Sequence, residues 1–356
     1  MQETAKSKIK IIKGIAYFIL PKLMKMDHNI KLITDADFIK IDNFNFNEIA
    51  LSVFRFQYLN NRVYNAFCNV LNKNPQNVNS IEKIPFMPVA LFKSNKVITG
   101  NFKLPDLYFE SSSTTSDVPA THYVHNAALY DASLLSGFIN AYGSPSQYAI
   151  LALLPSYLQR NHASLVYMAN VLMKESNHPE NGFFLHHTTH LKNILLQLEA
   201  QGKSTLLLGV TFALLDFAEE FPMPLSHTIV METGGMKGRK KELTRNEVHD
   251  ILKSAWGLTQ IHSEYGMTEM LSQAYSHNAG LFNCSNTMKV LCRDVNDPFE
   301  ISLSGKGCLN IIDLANLYSC SFLATDDIGE IHENGSFQVN GRMDNSALRG
   351  CSLMAI

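Results

Sequence analysis

The chain reads as an α/β protein with mixed, partly parallel sheets flanked by helices and a small β region near its C-terminal end. Three observations predict this. From Ser204 to Gly266, strand-like apolar runs alternate with helix-period segments, as in strands joined by crossover helices. The runs QYAILALLP (147–155) and STLLLGV (204–210) are almost continuously apolar, as strands covered on both faces are. After about residue 290 the runs CLNIIDL, CSFLATDDIG and GSFQV are cut by Gly, Asn and Asp, which suits short antiparallel strands.

The sequence has 356 residues, 46% hydrophobic and 17% charged. That is enough for a sizeable core in one large domain or two smaller ones. With 30 basic and 32 acidic residues the net charge is −2, which gives no argument for a nucleic-acid partner. No apolar stretch reaches the ~18 residues of a membrane-spanning helix. Cys68, Cys284, Cys292, Cys308, Cys320 and Cys351 are scattered without a CxxC pair. A thiolate zinc site is therefore not expected, and a reducing, cytoplasmic compartment is.

Residues 1–83 form an N-terminal helical region in this reading. Lys6, Lys8, Lys10 and Lys13 precede GIAYFIL, which Pro21 ends without an A-x-A cleavage site. This argues against a secretory signal. A helix there packs on the body of the fold or touches anionic lipid peripherally. Phe38, Ile41, Phe44, Ile49, Val53, Phe54, Phe56, Tyr58 and Leu59 continue at roughly helical spacing, and Asn72–Ser80 is a polar break.

Residues 84–290 form the α/β core. IPFMPVALFK (84–93) carries two prolines and is extended or turning. Residues 94–110 read as short strands ending in LYFE. A run of small hydroxyl residues, SSSTTS (111–116), leads into a further strand-like stretch. A helix is expected from Asn126 to Tyr142, a strand to Pro155, and a helix from about Ala163 to Lys174. The segments FALLDFAEEF and LTRNEVHDILKSAW are the helices between the strands STLLLGV, SHTIVMETGG and QIHSEYG. Ligands of such sheets bind at the carboxyl ends of strands, where Gly234-Gly235 and Tyr265-Gly266 fall. Residues 291–356 form the small β region with a C-terminal tail.

Two apparent motifs carry no function. HHTTH (186–190) sets two histidines four apart but lacks the glutamate of H-E-x-x-H. GKST (202–205) precedes a strand, and Gln197 stands where a P-loop needs its first glycine.

IHSEYGMTE (261–269) is the stretch around which the chain is organised. A Tyr265 ring can stack on a base, and Gly266 lets backbone approach a ligand. Thr268 can bond a phosphate oxygen, and Glu269 can hold a Mg²⁺ that bridges phosphates. Four other segments stand in fixed order around it: 111–116, METGGMKGRKKE (231–242), TDDIGE (325–330) and GRMDNSALRG (341–350).

Together these segments resemble the adenylate-forming superfamily of acyl and aryl ligases. More closely they resemble the LuxE-type acyl-protein synthetases and their phenylacetate-ligase-like relatives, from about Ile84 to the end. The resemblance implies the N-terminal-domain fold of that superfamily, ATP and Mg²⁺ as cofactors, and a carboxylic, fatty acid as substrate. It implies that Ser111, Ser112, Thr114 and Thr115 hold ATP phosphates. Ser113 and Ser116 stand where relatives carry glycine, and Ala120 near their usual lysine. Gly234 and Gly235 lie along the adenine and Tyr265 stacks on it, followed by Gly266. Thr268 meets the α-phosphate and Glu269 holds the metal. Asp327 grips the ribose hydroxyls, and Arg342 reaches ribose or phosphate. Most of the superfamily continues into a lid domain with a catalytic lysine; LuxE-type chains end earlier and carry an acyl-accepting cysteine, here Cys351. Arg349, two residues away, favours its thiolate, and a terminal tail can swing between stations. The acyl group would then pass to a reductase or carrier protein. His162 is a candidate for the acyl pocket or for proton handling.

Two other readings stay open. One keeps the fold but transfers acyl groups from CoA or a carrier protein without ATP. The other is a non-catalytic subunit that binds nucleotide or a partner. The acyl chain, the acceptor and the oligomeric state are not written in the sequence.

Overall fold

The structure, a computed structural model, describes residues 41, 45–102, 104–111, 118–155, 162–234 and 243–343. Helices α1 (Phe46–Asn60) and α2 (Arg62–Val70) lead to β1 (Met87–Pro88), the short α3 (Leu91–Ser94) and the hairpin β2 (Leu107–Glu110) and β3 (Thr121–Val124). Next come α4 (Ala127–Tyr142), β4 (Ala149–Leu153), α5 (Ser164–Ser176), β5 (Gly182–Phe183), α6 (Thr188–Ala200) and β6 (Thr205–Val210). The alternation runs on through α7 (Thr211–Glu220), β7 (Thr228–Thr233), α8 (Arg245–Trp256) and β8 (His262–Tyr265). Strands β9 (Ala274–Ser276), β10 (Asn283–Cys284), β11 (Met288–Arg293), β12 (Ile301–Ser302), β13 (Gly305–Asp313), β14 (Phe322–Ile331) and β15 (Phe337–Arg342) complete it.

The continuous apolar runs become inner strands. In the seven-stranded sheet the order is β10-β9-β8-β7-β6-β4-β5, and every pair from β5 to β8 is parallel. All five residues of β4 are buried, because helices cover both faces. Ile150, Ala152 and Leu154 share a core with residues of α4 and α5. Leu151 and Leu153 face the other way, into a core with α6, α7 and α8. The helix ends follow local chemistry. Asn126 caps α4 by accepting from Leu129 N–H at 3.2 Å. Thr244 and Glu247 form a reciprocal capping box on α8. Gly257 ends α8 at φ 65°, a left-handed position that glycine adopts freely.

A second sheet is built from the C-terminal strands in the order β1-β14-β13-β11-β12, with β15 also on β14. Apart from the parallel β1–β14 pair, its ladders are antiparallel. Helix α1 packs against it: the Gln57 amide nitrogen lies 3.0 Å from the carbonyls of both Asn316 and Leu317. The Asn61 amide donates to Ser319 O at 2.8 Å.

One expectation needs correction. Residues 94–106 do not form strands among the described residues; the strand there is Leu107–Glu110. The segment is held by single contacts instead of a ladder. Thr99 N–H donates to Tyr318 O at 2.9 Å, and Gly100 N–H to Asn60 O at 3.0 Å.

Candidate active site

The two sheets meet at the end of β8. Tyr265, the last residue of that parallel strand, donates its hydroxyl to Asp327 Oδ2 at 2.7 Å. Asp327 lies on β14, in register opposite Arg342 of β15. Arg342 Nε is 3.4 Å from Asp327 Oδ1. The structure thus brings together three residues that are 62 or more positions apart or separated by a strand turn. Arg342 is 66% exposed, so water screens its pull on Asp327. Burial raises the Asp327 carboxyl above its ordinary range, while the Tyr265 bond and Arg342 hold it back. The neighbouring Asp326 is tied through its main chain, where its carbonyl accepts from Met343 N–H at 2.7 Å. Beneath Tyr265, Phe337 meets the ring edge-on at 5.4 Å and Phe282 at 5.8 Å.

Gly234 ends β7 beside this corner. Its φ is 76°, and no atom lies within 4 Å of the point a Cβ would occupy. Open space beside a bare main chain is what a flat ring lying along it requires. Gly266 has the opposite reason. A Cβ there would fall 2.6 Å from Glu264 Oε1. Glu264 itself is buried, accepts from Thr233 Oγ1 at 2.6 Å, and is pushed up to about 7, chiefly by burial.

The Thr268-Glu269 loop follows. Glu269 is 8% exposed, and burial raises its carboxyl. Arg342 and Lys93 are near enough to pull it back down, and Asp327 pushes it up. The main chain of this loop is gripped from below. His122 Nδ1 lies 2.8 Å from Thr268 O, and Nε2 lies 2.8 Å from Asn316 Oδ1. The Asn316 amide nitrogen donates to Glu269 O at 2.7 Å. Turning that amide over would set two oxygens against each other there, so Oδ1 must face the ring. Both ring nitrogens therefore meet acceptors. A neutral imidazole can donate to one of them, and an imidazolium to both. Burial favours the neutral ring, pulling His122 down to about 4 against those two bonds.

Ser111 closes the base of the hydroxyl-rich loop. Its N–H donates to Ala120 O at 3.0 Å, and its hydroxyl accepts from Ala120 N–H at 2.9 Å. Ser112, Thr114, Thr115, Gly235 and Cys351 lie outside the described residues. His162 stacks on Tyr108 at 4.0 Å. The two line a groove of about 550 Å³ together with Leu104, Leu107, Tyr123 and Tyr167.

Sequence reasoning missed His122, Asn316 and Lys93. His122 carried a weak signal, since it follows the hydroxyl run by a few residues. Asn316, in an ordinary turn, carried none.

The family model described as acyl-protein synthetase, LuxE, matches residues 39–355. No curated protein sequence matches. Among solved structures, 2-hydroxyisobutyryl-CoA ligase with 2-HIB-AMP and CoA in the thioesterification state is similar at a TM-score of 0.63. It is 12% identical, and the match covers 90% of this chain and 74% of that one. The open conformation of the same ligase, with the same ligands, gives a TM-score of 0.61 and 11% identity over 84% and 74%. At such identities the likeness is one of fold. The family match spans nearly the whole chain, which therefore belongs to the LuxE family of acyl-protein synthetases, enzymes of the adenylate-forming ligase type.

Proposed function

We propose that the enzyme activates a carboxylic acid of the fatty type with ATP, and passes the acyl group through Cys351 to a partner protein. The observation that carries this reading is the Tyr265–Asp327 bond at 2.7 Å. It couples a ring suited to a base with a carboxylate suited to ribose hydroxyls, at the carboxyl end of a parallel strand. Thr268 and Glu269 follow within four residues, where the phosphates of such a nucleotide would lie.

Glu269 fits a magnesium ion. Mg²⁺ is commonly bound through one or two carboxylates plus phosphate oxygens and water. Burial disfavours the Glu269 anion, and a divalent cation would restore it. The ion would supply charge for the phosphates. The chain's own residues do the rest. Tyr265, Asp327 and Arg342 orient the nucleoside, Thr268 donates toward the α-phosphate, and Ser111 with its loop holds the phosphate tail. An oxygen of the acid forms a bond to the α-phosphorus as the bond to pyrophosphate breaks. The yield is acyl-AMP and pyrophosphate.

Transfer needs a thiolate. Burial raises the thiols of Cys68 and Cys284 to about 12, and it also raises Cys292, Cys308 and Cys320. These five are poor nucleophiles, which supports Cys351 beside Arg349. Its sulfur would bond the acyl carbon as AMP leaves. The groove beside His162 is the candidate path for the acyl chain, since its walls are largely apolar and aromatic. The test is ATP–pyrophosphate exchange with short, long and aromatic acids. Exchange that depends on one acid class supports the reading. Absence of exchange with every acid, alongside acyl transfer from CoA, would replace it with the ATP-independent alternative.

A further inference from the structure

Two buried side chains hold the Thr268-Glu269 loop by its main chain and leave the side chains of both residues for other work. His122 and Asn316 are each 0% exposed. They make a chain of three contacts: Thr268 O to His122 Nδ1, His122 Nε2 to Asn316 Oδ1, and the Asn316 amide to Glu269 O. Phe92 braces the imidazole edge-on at 5.7 Å, with the planes 88° apart. His122 stands on β3, two residues after Ala120, whose N–H closes the hydroxyl-rich loop on Ser111. Asn316 stands in the turn between β13 and β14, the strand that carries Asp327. The contacts therefore join three pieces of chain that come to one nucleotide site from separate parts of the fold.

We propose that His122 and Asn316 are positioning residues, which clamp the carbonyls of Thr268 and Glu269 and so fix the aim of both side chains at the nucleotide phosphates. The clamp rests on the reading of Thr268 and Glu269 given under Proposed function. Its physical basis is direct. A short loop has few conformations in which two adjacent carbonyls both keep their partners. A rigid ring braced on one side and an amide locked on the other select among them. Small misplacement of a phosphate-facing group costs rate even when the ligand still binds. The loss should therefore fall on turnover and on the metal requirement, and not on nucleotide affinity.

The test uses His122→Asn, His122→Gln and Asn316→Asp in the full chain. Asn places a donor near the Nδ1 position, whereas Gln favours the Nε2 position. Asn316→Asp keeps the shape but removes the donor to Glu269 O. Acid-dependent pyrophosphate exchange is followed against Mg²⁺ and ATP, with ATP affinity measured separately at equilibrium without metal. The expected result is a ten- to hundredfold fall in the exchange rate for His122→Gln and Asn316→Asp. Half-saturating Mg²⁺ should rise several-fold, while ATP affinity stays within about twofold. His122→Asn should recover part of the rate, because it keeps the bond to Thr268 O.

Unchanged exchange and Mg²⁺ dependence in all three variants would overturn the clamp. So would losses of rate that only track losses of melting temperature, with no rise in the Mg²⁺ requirement. If a histidine variant fails to fold, Asn316→Asp alone decides by the same two readouts. Failure of the underlying reading looks different: Thr268→Ala and Glu269→Gln would then leave exchange untouched as well.

Discussion

The carboxyl of Glu264 offers a test of the structure that needs no substrate. It is buried, bonded by Thr233 Oγ1, coupled to Glu232, and near enough to Tyr130, Tyr142 and Tyr275 to raise their hydroxyls. Its folded-state value is about 7, against an ordinary 4.5. The sign follows from which state binds more protons. Between those two values the folded chain keeps the Glu264 proton and the unfolded chain has lost it. Stability from this group is therefore fully present below about 4.5 and is lost as pH rises through 7. At about 1.4 kcal/mol per pH unit the loss approaches roughly 3 kcal/mol. Most of it falls between pH 5 and pH 8. Glu264→Gln removes the titration and keeps an oxygen for the Thr233 bond.

Urea unfolding of wild type and variant at pH 5 and pH 8 measures this directly. Wild type should lose roughly 2–3 kcal/mol more than the variant over that interval, so the variant is relatively stronger at pH 8. The histidines and other carboxyls are common to both proteins and cancel in the difference. Parallel pH profiles for the two would refute the assignment of a buried, proton-holding carboxyl at this position.

The other predictions concern the site. Thr268→Ala and Glu269→Gln should each lower acid-dependent pyrophosphate exchange by on the order of a hundredfold, the scale of losing one preorganised charge-stabilising group; wild-type rates with unchanged Mg²⁺ dependence would refute their roles. Asp327→Ala should weaken ATP binding by about 1–3 kcal/mol in calorimetry, and Asp326→Ala by less, because only the Asp327 carboxylate meets Tyr265. Gly266→Ala should cost about 1–3 kcal/mol of stability, since the added methyl meets Glu264 Oε1; an unchanged urea midpoint would contradict that contact. Cys351→Ser should exchange pyrophosphate at near the wild-type rate yet pass no acyl group onward, and mass spectrometry of the C-terminal peptide, with hydroxylamine release, checks which cysteine is acylated.

Elements that depend on near neighbours were legible in the sequence. The apolar runs of β4 and β6 and the helices expected from Asn126 to Tyr142 and over LTRNEVHDILKSAW are local patterns, and the structure has a strand or a helix at each. The stretch 94–106 misled because its residues can be buried without a ladder; Val97 and Thr99 are tied to the fold by long-range contacts with Asn61, Tyr318 and Ser319. The site divided in the same way. Tyr265, Asp327 and Arg342 were named through the resemblance to adenylate-forming ligases, and the structure brings the three together. His122 and Asn316 act across 146 and 47 positions on carbonyls that every residue has, so nothing in the letters marks their targets.

Tyr265 and Asp327 come from different sheets, so their bond is only as well aimed as the docking of one sheet on the other. The docking is strongly determined at that spot. Phe282 and Phe337 exchange two main-chain hydrogen bonds of 2.7 and 3.0 Å and stack at 5.4 Å beneath the Tyr265 ring. Arg245 lies over Phe282 at 5.2 Å, donates to Val339 O at 3.2 Å, and reaches Glu232 at 3.5 Å. It thereby ties α8 and β7 to β15, the neighbour of the strand that carries Asp327. Under the function proposed above, a nucleotide spanning this junction would meet Tyr265 and Asp327 already at fixed separation. Such preorganisation lowers the ordering cost of binding. It also means that substitutions at Arg245 or Phe337, which need touch no ligand, should weaken ATP binding by loosening the sheets and not by removing a contact.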